Sequence, residues 1–216
     1  MRRRPSLTLP LLSFAAVCHG ADFAADFNKT TNPGTMGWIY GLETSLGGTL
    51  SVYDTHLNDP SGYNYWYSNA NHSGDLTPAV FLNQGTGTIN GDGPGQAGLH
   101  PGPDGQFSVA RYTVPTTATA TILGQFYAGD SGSLNEYVQV NGVTQFVALP
   151  ATGDQPFSFT YAAKANDRID FIVGADAHGY SFDTTPLSAT ITQPTPEPPT
   201  LAALGLGLLA LRRRRR

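Results

Sequence analysis

Cysteine is almost missing from this 216-residue chain: Cys18 is its one example, and it stands at the end of an N-terminal apolar run. One cysteine cannot close an internal disulfide, so the core must hold without covalent staples. Zinc-like spacing is missing too, because His56, His72, His100 and His178 are scattered and have no cysteine beside them. Positive charge is scarce between the two ends. Residues 21–196 hold Lys29, Arg111, Lys164 and Arg168 against fifteen acids, a net charge of −11 that the whole-chain value of −4 conceals. A surface of that sign repels a phosphate backbone, which argues against nucleic acid as a partner. Glutamate is nearly missing from the same stretch, which has Glu43, Glu136 and thirteen aspartates placed mostly in turns. Glycoside hydrolysis needs two carboxyls held ~5–9.5 Å apart, and no such pair stands out. A polysaccharide-acting hydrolase is therefore the alternative reading and a non-catalytic protein the preferred one.

What is present begins at the two ends. Arg2, Arg3 and Arg4 precede an apolar run from Leu7 to Val17 and the small-residue stretch Cys18-His19-Gly20-Ala21. That order describes a secretory signal peptide over residues 1–20, with Cys18 at −3 and Gly20 at −1 of the cut. The other end reads TPEPPTLAALGLGLLALRRRRR. Its apolar part, Leu201 to Leu211, is eleven residues, or about 16 Å of helix against a hydrocarbon core of about 30 Å. Flanking residues and snorkelling arginines extend its reach, and five arginines hold the tail on the cytoplasmic side. The expected organisation is a signal peptide at 1–20, a folded domain at 21–192, a Pro/Thr linker at 193–199 and a hydrophobic segment with its arginine cluster at 200–216.

The middle region is rich in glycine, proline and aromatics, with 25, 16 and 23 residues of these types in the whole chain. It shows no helical period. Phe157-Ser-Phe-Thr-Tyr161, Arg168-Ile-Asp-Phe-Ile-Val173 and Thr121 to Tyr127 alternate as half-buried strands do. Tyr137 to Phe146 places Asn141-Gly142 between two β-rich runs, which predicts a type I′ hairpin. Further strands are expected at 38–42, 49–53, 65–68, 79–83, 107–114 and 187–192, separated by Gly/Pro/Asp turn clusters such as Asn90 to Gly95 and Pro101 to Gly105. Many short strands without interleaved helices predict an all-β fold, a β-sandwich of jelly-roll type, flanked by a signal-peptide helix and a short C-terminal transmembrane helix.

Two resemblances add to this. Pro196-Glu197-Pro198, the apolar run from Thr200 to Leu211 and the arginine cluster resemble a PEP-CTERM sorting signal, over about a tenth of the chain. The resemblance implies a Gram-negative-type bacterium, transient inner-membrane anchoring, processing by an exosortase-type enzyme, and a cell-surface or matrix destination associated with exopolysaccharide or biofilm. The run Leu99 to Tyr112, with Trp38-Ile-Tyr-Gly-Leu42 and Asp167 to Gly174, is similar to an exported β-sandwich domain recurrent in planctomycete-like PEP-CTERM proteins. That likeness would cover most of residues 26–192 and implies a fold distantly similar to jelly-roll carbohydrate-binding modules. Here Tyr112 stands where similar domains carry Trp, and Asn166-Asp167-Arg168 where they carry Gly-Asp-Thr.

Candidate sites are few. Gly129-Asp130-Ser131-Gly132 resembles the nucleophile segment of chymotrypsin-type serine proteases, but no matching histidine segment precedes it, and its place between two strands predicts a connecting turn. No catalytic residue is assigned. Asn90 to Gly95 begins like a calcium loop and fails at Pro94, where an oxygen-bearing side chain is needed. A calcium ion held by scattered aspartates and backbone carbonyls would use Asp92, Asp104 and Asp183. The richest binding candidate is Tyr63-Asn-Tyr-Trp-Tyr-Ser-Asn-Ala-Asn-His72. Tyr63, Tyr65, Trp66 and Tyr67 could stack on sugar C–H faces, with Asn69 bonding hydroxyls. The competing structural reading places Tyr65 and Tyr67 in the core and Trp66 at an edge. Arg111, a lone cation within a strand, is expected to pair with an aspartate.

Overall fold

Fourteen strands and no helix make up residues 18–194, the part of the chain that the computed structural model describes. In chain order they are β1 (Cys18–Asp22), β2 (Trp38–Glu43), β3 (Ser51–Val52), β4 (Thr55–Asn58), β5 (Tyr63–Tyr67), β6 (Ala79–Asn83) and β7 (Ala97–His100). The second half supplies β8 (Phe107–Thr113), β9 (Ala118–Phe126), β10 (Leu134–Val140), β11 (Val143–Ala151), β12 (Gln155–Ala163), β13 (Arg168–Ala175) and β14 (Thr185–Pro194). They form two antiparallel sheets. One is eight-stranded in the order β12-β9-β14-β7-β6-β5-β4, with β1 beside β14; the other is six-stranded in the order β11-β10-β13-β8-β2-β3. This is the β-sandwich of jelly-roll type that the turn-separated alternating segments predict. The Pro196-Glu197-Pro198 motif and both expected flanking helices lie outside the described residues.

Local chemistry explains most strand boundaries. Asn141 and Gly142 adopt φ of 51° and 80°, the left-handed pair a type I′ turn requires, and they join β10 to β11 as expected. In β12 the alternation sends Phe157 inward, with Phe159 and Tyr161 partly buried against the same core. In β13 Ile169, Phe171 and Val173 point to the core. Three strands escape a reading of local pattern. β1 overlaps the stretch read as the end of a signal peptide, β4 is polar and half-exposed, and β7 is a four-residue Ala-Gly-Leu-His run between glycine-rich turns. The expected strand at 49–53 shrinks to two paired residues, although Tyr53 still donates its N–H to the Tyr40 carbonyl. At the other end β14 runs past residue 192, and the buried Gln193 donates to the Thr116 carbonyl.

The core is aromatic. Trp38 packs against Phe23 at 5.1 Å, Tyr112 at 5.3 Å and Phe171 at 5.9 Å between ring centroids. Phe171 of one sheet meets Phe157 of the other at 5.7 Å, so ring contacts bridge the two layers. Each large apolar side chain taken out of water contributes about 1.5–3 kcal/mol, which lets a disulfide-free domain stand. Residues Gly20–Gln193 form one compact unit around this core.

Candidate functional site

The aromatic run of β5 divides by parity. Asn64 and Trp66 point inward; Trp66 is buried in the core, and its indole N–H donates to the Asn28 carbonyl at 2.6 Å. Tyr63, Tyr65 and Tyr67 share the opposite, outward face. The faces are thus reversed from the structural alternative read in the sequence: the tryptophan is core and the tyrosines lie outside it. Trp66 cannot act as a sugar platform from a buried position. Asn69 sits in the exposed bend after β5, where its backbone N–H is bonded to Asp54.

The outward face is not open surface along its whole length. Tyr63 and Tyr65 of β5, Ala79 and Phe81 of β6 and His100 of β7 line a cavity of about 300 Å³. Its rings are close: Tyr63 lies 5.2 Å from Tyr65 and 5.3 Å from Phe81, and His100 lies 6.1 Å from Tyr180. Loops complete the walls with Asp75 and Thr77, Asn90, Asp130, and the run Tyr180 to Phe182 with Thr184.

One wall depends on backbones meeting without side chains between them. Asp130 N–H donates to the Thr184 carbonyl and Gly132 N–H to the Phe182 carbonyl. A Cβ on Gly129 would lie 1.8 Å from the Thr184 oxygen, and one on Gly91 would lie 2.0 Å from the Gly129 oxygen. The Gly129-Asp130-Ser131-Gly132 segment is therefore a connecting turn between β9 and β10, as its position predicts, and it delivers Asp130 to the cavity. Asn90-Gly91, with φ of 49° and 79°, is a second Asn-Gly turn of the same handedness as the one at Asn141. Backbone strain gathers at this rim. Leu76 and Phe182 hold φ of 61° and 65°, values costly for bulky side chains, and Phe182 is 64% exposed.

The aspartates proposed from sequence for calcium are not brought together. Asp104 is exposed in a turn, bonded to Gln106. Asp92 is fully buried behind Tyr63, whose hydroxyl donates to the Ile89 carbonyl at 2.6 Å, so neither Asp92 oxygen has a partner. Asp183 is buried, with one oxygen unpartnered. Among the described residues no group of three His, Cys, Asp or Glu could hold a metal ion. Neither glutamate lines the cavity. Glu43 is buried in an ion pair with Arg111, and Glu136 is buried with one oxygen unpartnered beside a separate small pocket.

Burial sets the titration of these acids. It pushes Asp92 and Glu136 each up to about 8 and Asp183 up to about 7, with neighbouring Asp154 adding to the rise at Glu136, and Asp176 and Asp130 at Asp183. The folded protein thus keeps protons that the unfolded chain releases near pH 4. Between about pH 4 and 8 the native state binds more protons, so stability falls as pH rises. Asp54, Asp59, Asp167 and Asp176, held low chiefly by N–H and hydroxyl donors, act oppositely on the acid side of that window, and His56 and His100, which burial holds below the ordinary histidine value, act oppositely within it. The melting temperature is therefore expected to be lower at pH 8.5 than at pH 5.5. Calorimetry at the two pH values checks this. A flat or rising melting temperature would contradict it, and Asp92→Asn, Glu136→Gln and Asp183→Asn together are expected to flatten the dependence.

Comparison with known proteins bears on the C-terminal end. Residues 194–216 match the PEP-CTERM protein-sorting motif, which implies export and membrane-linked processing. No curated protein matches the chain significantly. Among solved structures, the chain is similar to a family 35 carbohydrate-binding module from Paenibacillus barcinonensis. That likeness has 16% identity and a TM-score of 0.32, over 66% of this chain and 100% of that one. A family 35 module from Clostridium thermocellum gives 8% identity and a TM-score of 0.30, over 60% and 87%. Rabbit GITRL gives 12% and 0.31, over 41% and 73%. These likenesses name no ligand for this chain, and its site is read from its own residues.

Proposed function

We propose that this is an exported, non-catalytic surface or matrix protein whose sandwich binds the end or a branch of a carbohydrate chain in the cavity on the outward face of β5, β6 and β7. The observation that carries the proposal is the lining itself. Adjacent rings of Tyr63, Tyr65 and Phe81 are ringed by Asp75, Asn90, Asp130, Ser181 and Thr184. Apolar ring faces cover sugar C–H surfaces, while short polar side chains fix hydroxyls; a cavity of about 300 Å³ sits at the small end of ligand sites. In this reading the first 20 residues are removed on export. The tail docks in the inner membrane until an exosortase-type enzyme processes it, and the domain then reaches extracellular polysaccharide.

Affinity electrophoresis against a panel of soluble polysaccharides tests it. At least one polysaccharide is expected to retard the intact protein, and Tyr65→Ala or Phe182→Ala is expected to weaken the retardation at least fivefold. Release of reducing ends would overturn the non-catalytic reading. Retardation that survives both substitutions would move the site elsewhere.

A further inference from the structure

The lining of the cavity is unbalanced in a way that selects among sugars. None of its lining residues is a lysine or arginine, while Asp75 and Asp130 bring two carboxylates. Both sit near enough to His100 to act on its titration. Burial holds His100 on the low side of its ordinary pKa, against the pull of the Pro101 carbonyl and the two aspartates. His100 Nδ1 lies 2.8 Å from the Pro101 carbonyl. A carbonyl can only accept, so Nδ1 carries a ring proton. The Tyr63 hydroxyl spends its proton on the Ile89 carbonyl. The hydroxyls of Tyr65, Tyr180, Ser181 and Thr184 and the Asn90 amide can both donate and accept, so what sets the cavity apart is its unopposed negative charge, beside rings whose faces also attract cations. A uronic acid would bring a carboxylate into that field and be repelled.

From this we infer that the cavity recognises a sugar bearing a free, protonated amine: a hexosamine unit that is not N-acetylated. The ammonium supplies donors to Asp75 and Asp130, and the pyranose C–H face covers Tyr65 and Phe81. The inference rests on the carbohydrate-binding reading and adds to it the class of sugar.

Calorimetric titration of the intact protein at pH 6 with three probes separates the two claims: a glucosamine trimer, an N-acetylglucosamine trimer and a galacturonic acid trimer. The glucosamine trimer is expected to bind at least tenfold more tightly than the other two, with an affinity that falls as salt is raised. Asp75→Asn with Asp130→Asn is expected to reduce that preference to threefold or less while the melting temperature stays within a few degrees. If the neutral or the acidic trimer binds as well as the amine form, the inference is overturned and the carbohydrate reading stands. If no trimer binds and no polysaccharide retards the protein, both are overturned. If choline binds and the glucosamine trimer does not, the cavity takes a cation that is not a sugar, and the inference is again overturned.

Discussion

Arg111→Met is expected to lower the free energy of unfolding by about 3–5 kcal/mol. The guanidinium makes a two-pronged contact with Asp170, at 2.6 Å from Nε and 3.0 Å from Nη2, and reaches Glu43 at 3.2 Å. All three side chains are buried on the six-stranded sheet. Removing the cation leaves two carboxyls facing each other away from water. Glu43 is already pushed above its ordinary value by burial and by Asp170, and Arg111 with the Gly47 and Gly48 N–H groups draws it back. Without the arginine one carboxyl must take up a proton, so the loss should be larger at pH 8 than at pH 5. Denaturant unfolding should show a lower midpoint with an unchanged slope. Replacing Glu43 and Asp170 by leucine in the same variant should recover most of the loss, because a well-packed apolar trio escapes the desolvation cost of ions. A midpoint that does not move for Arg111→Met would mean that water reaches the triad.

Trp66→Ala is the second large effect, again about 3–5 kcal/mol, and it separates core from site. The indole is 5% exposed, packs 4.9 Å from His56 and donates to Asn28. Its deletion opens a cavity between the layers and strands the Asn28 carbonyl. Tyr65→Ala, one position away and half-exposed, should cost about 1 kcal/mol. The two variants should therefore behave as opposites: the tryptophan variant melts early but keeps its saccharide affinity while folded, and the tyrosine variant melts near the parent and binds poorly. A Trp66→Ala protein with parent-like stability and no binding would place the indole in the site instead.

Several features could be read along the chain because they depend on neighbours within a few residues. The Asn141-Gly142 hairpin, the inward faces of β12 and β13, and the turn at Gly129 to Gly132 are of this kind. So is the pairing of Arg111 with some aspartate in an otherwise acid-rich region. The identity of that aspartate is different, because it comes from the register that sets Arg111 opposite Asp170 across two strands 59 positions apart in sequence. The aromatic run of β5 shows the same division. Its alternation is visible in the sequence, but both faces of the strand carry aromatic side chains, so no polar face marks the outside. The register that sets Trp66 opposite Val80 and Tyr65 opposite Phe81 gives the indole to the core and the tyrosines to the cavity.

The C-terminal end of the chain was legible for a separate reason: a sorting signal is read by order and composition, without a fold. Residues 194–216 match the PEP-CTERM protein-sorting motif accordingly. Asp92, Asp104 and Asp183 carry no comparable signal, since scattered aspartates have no common geometry until the backbone closes around them, and here it separates them. The cavity is likewise a product of closure. Its walls come from segments as distant as Asp75 and Thr184, and its negative charge follows from which loops meet, with glycines where backbones touch. Alternation and turn chemistry act over a few bonds and are written in the chain; the faces that meet, and the charges they collect, follow from contacts between residues far apart in sequence.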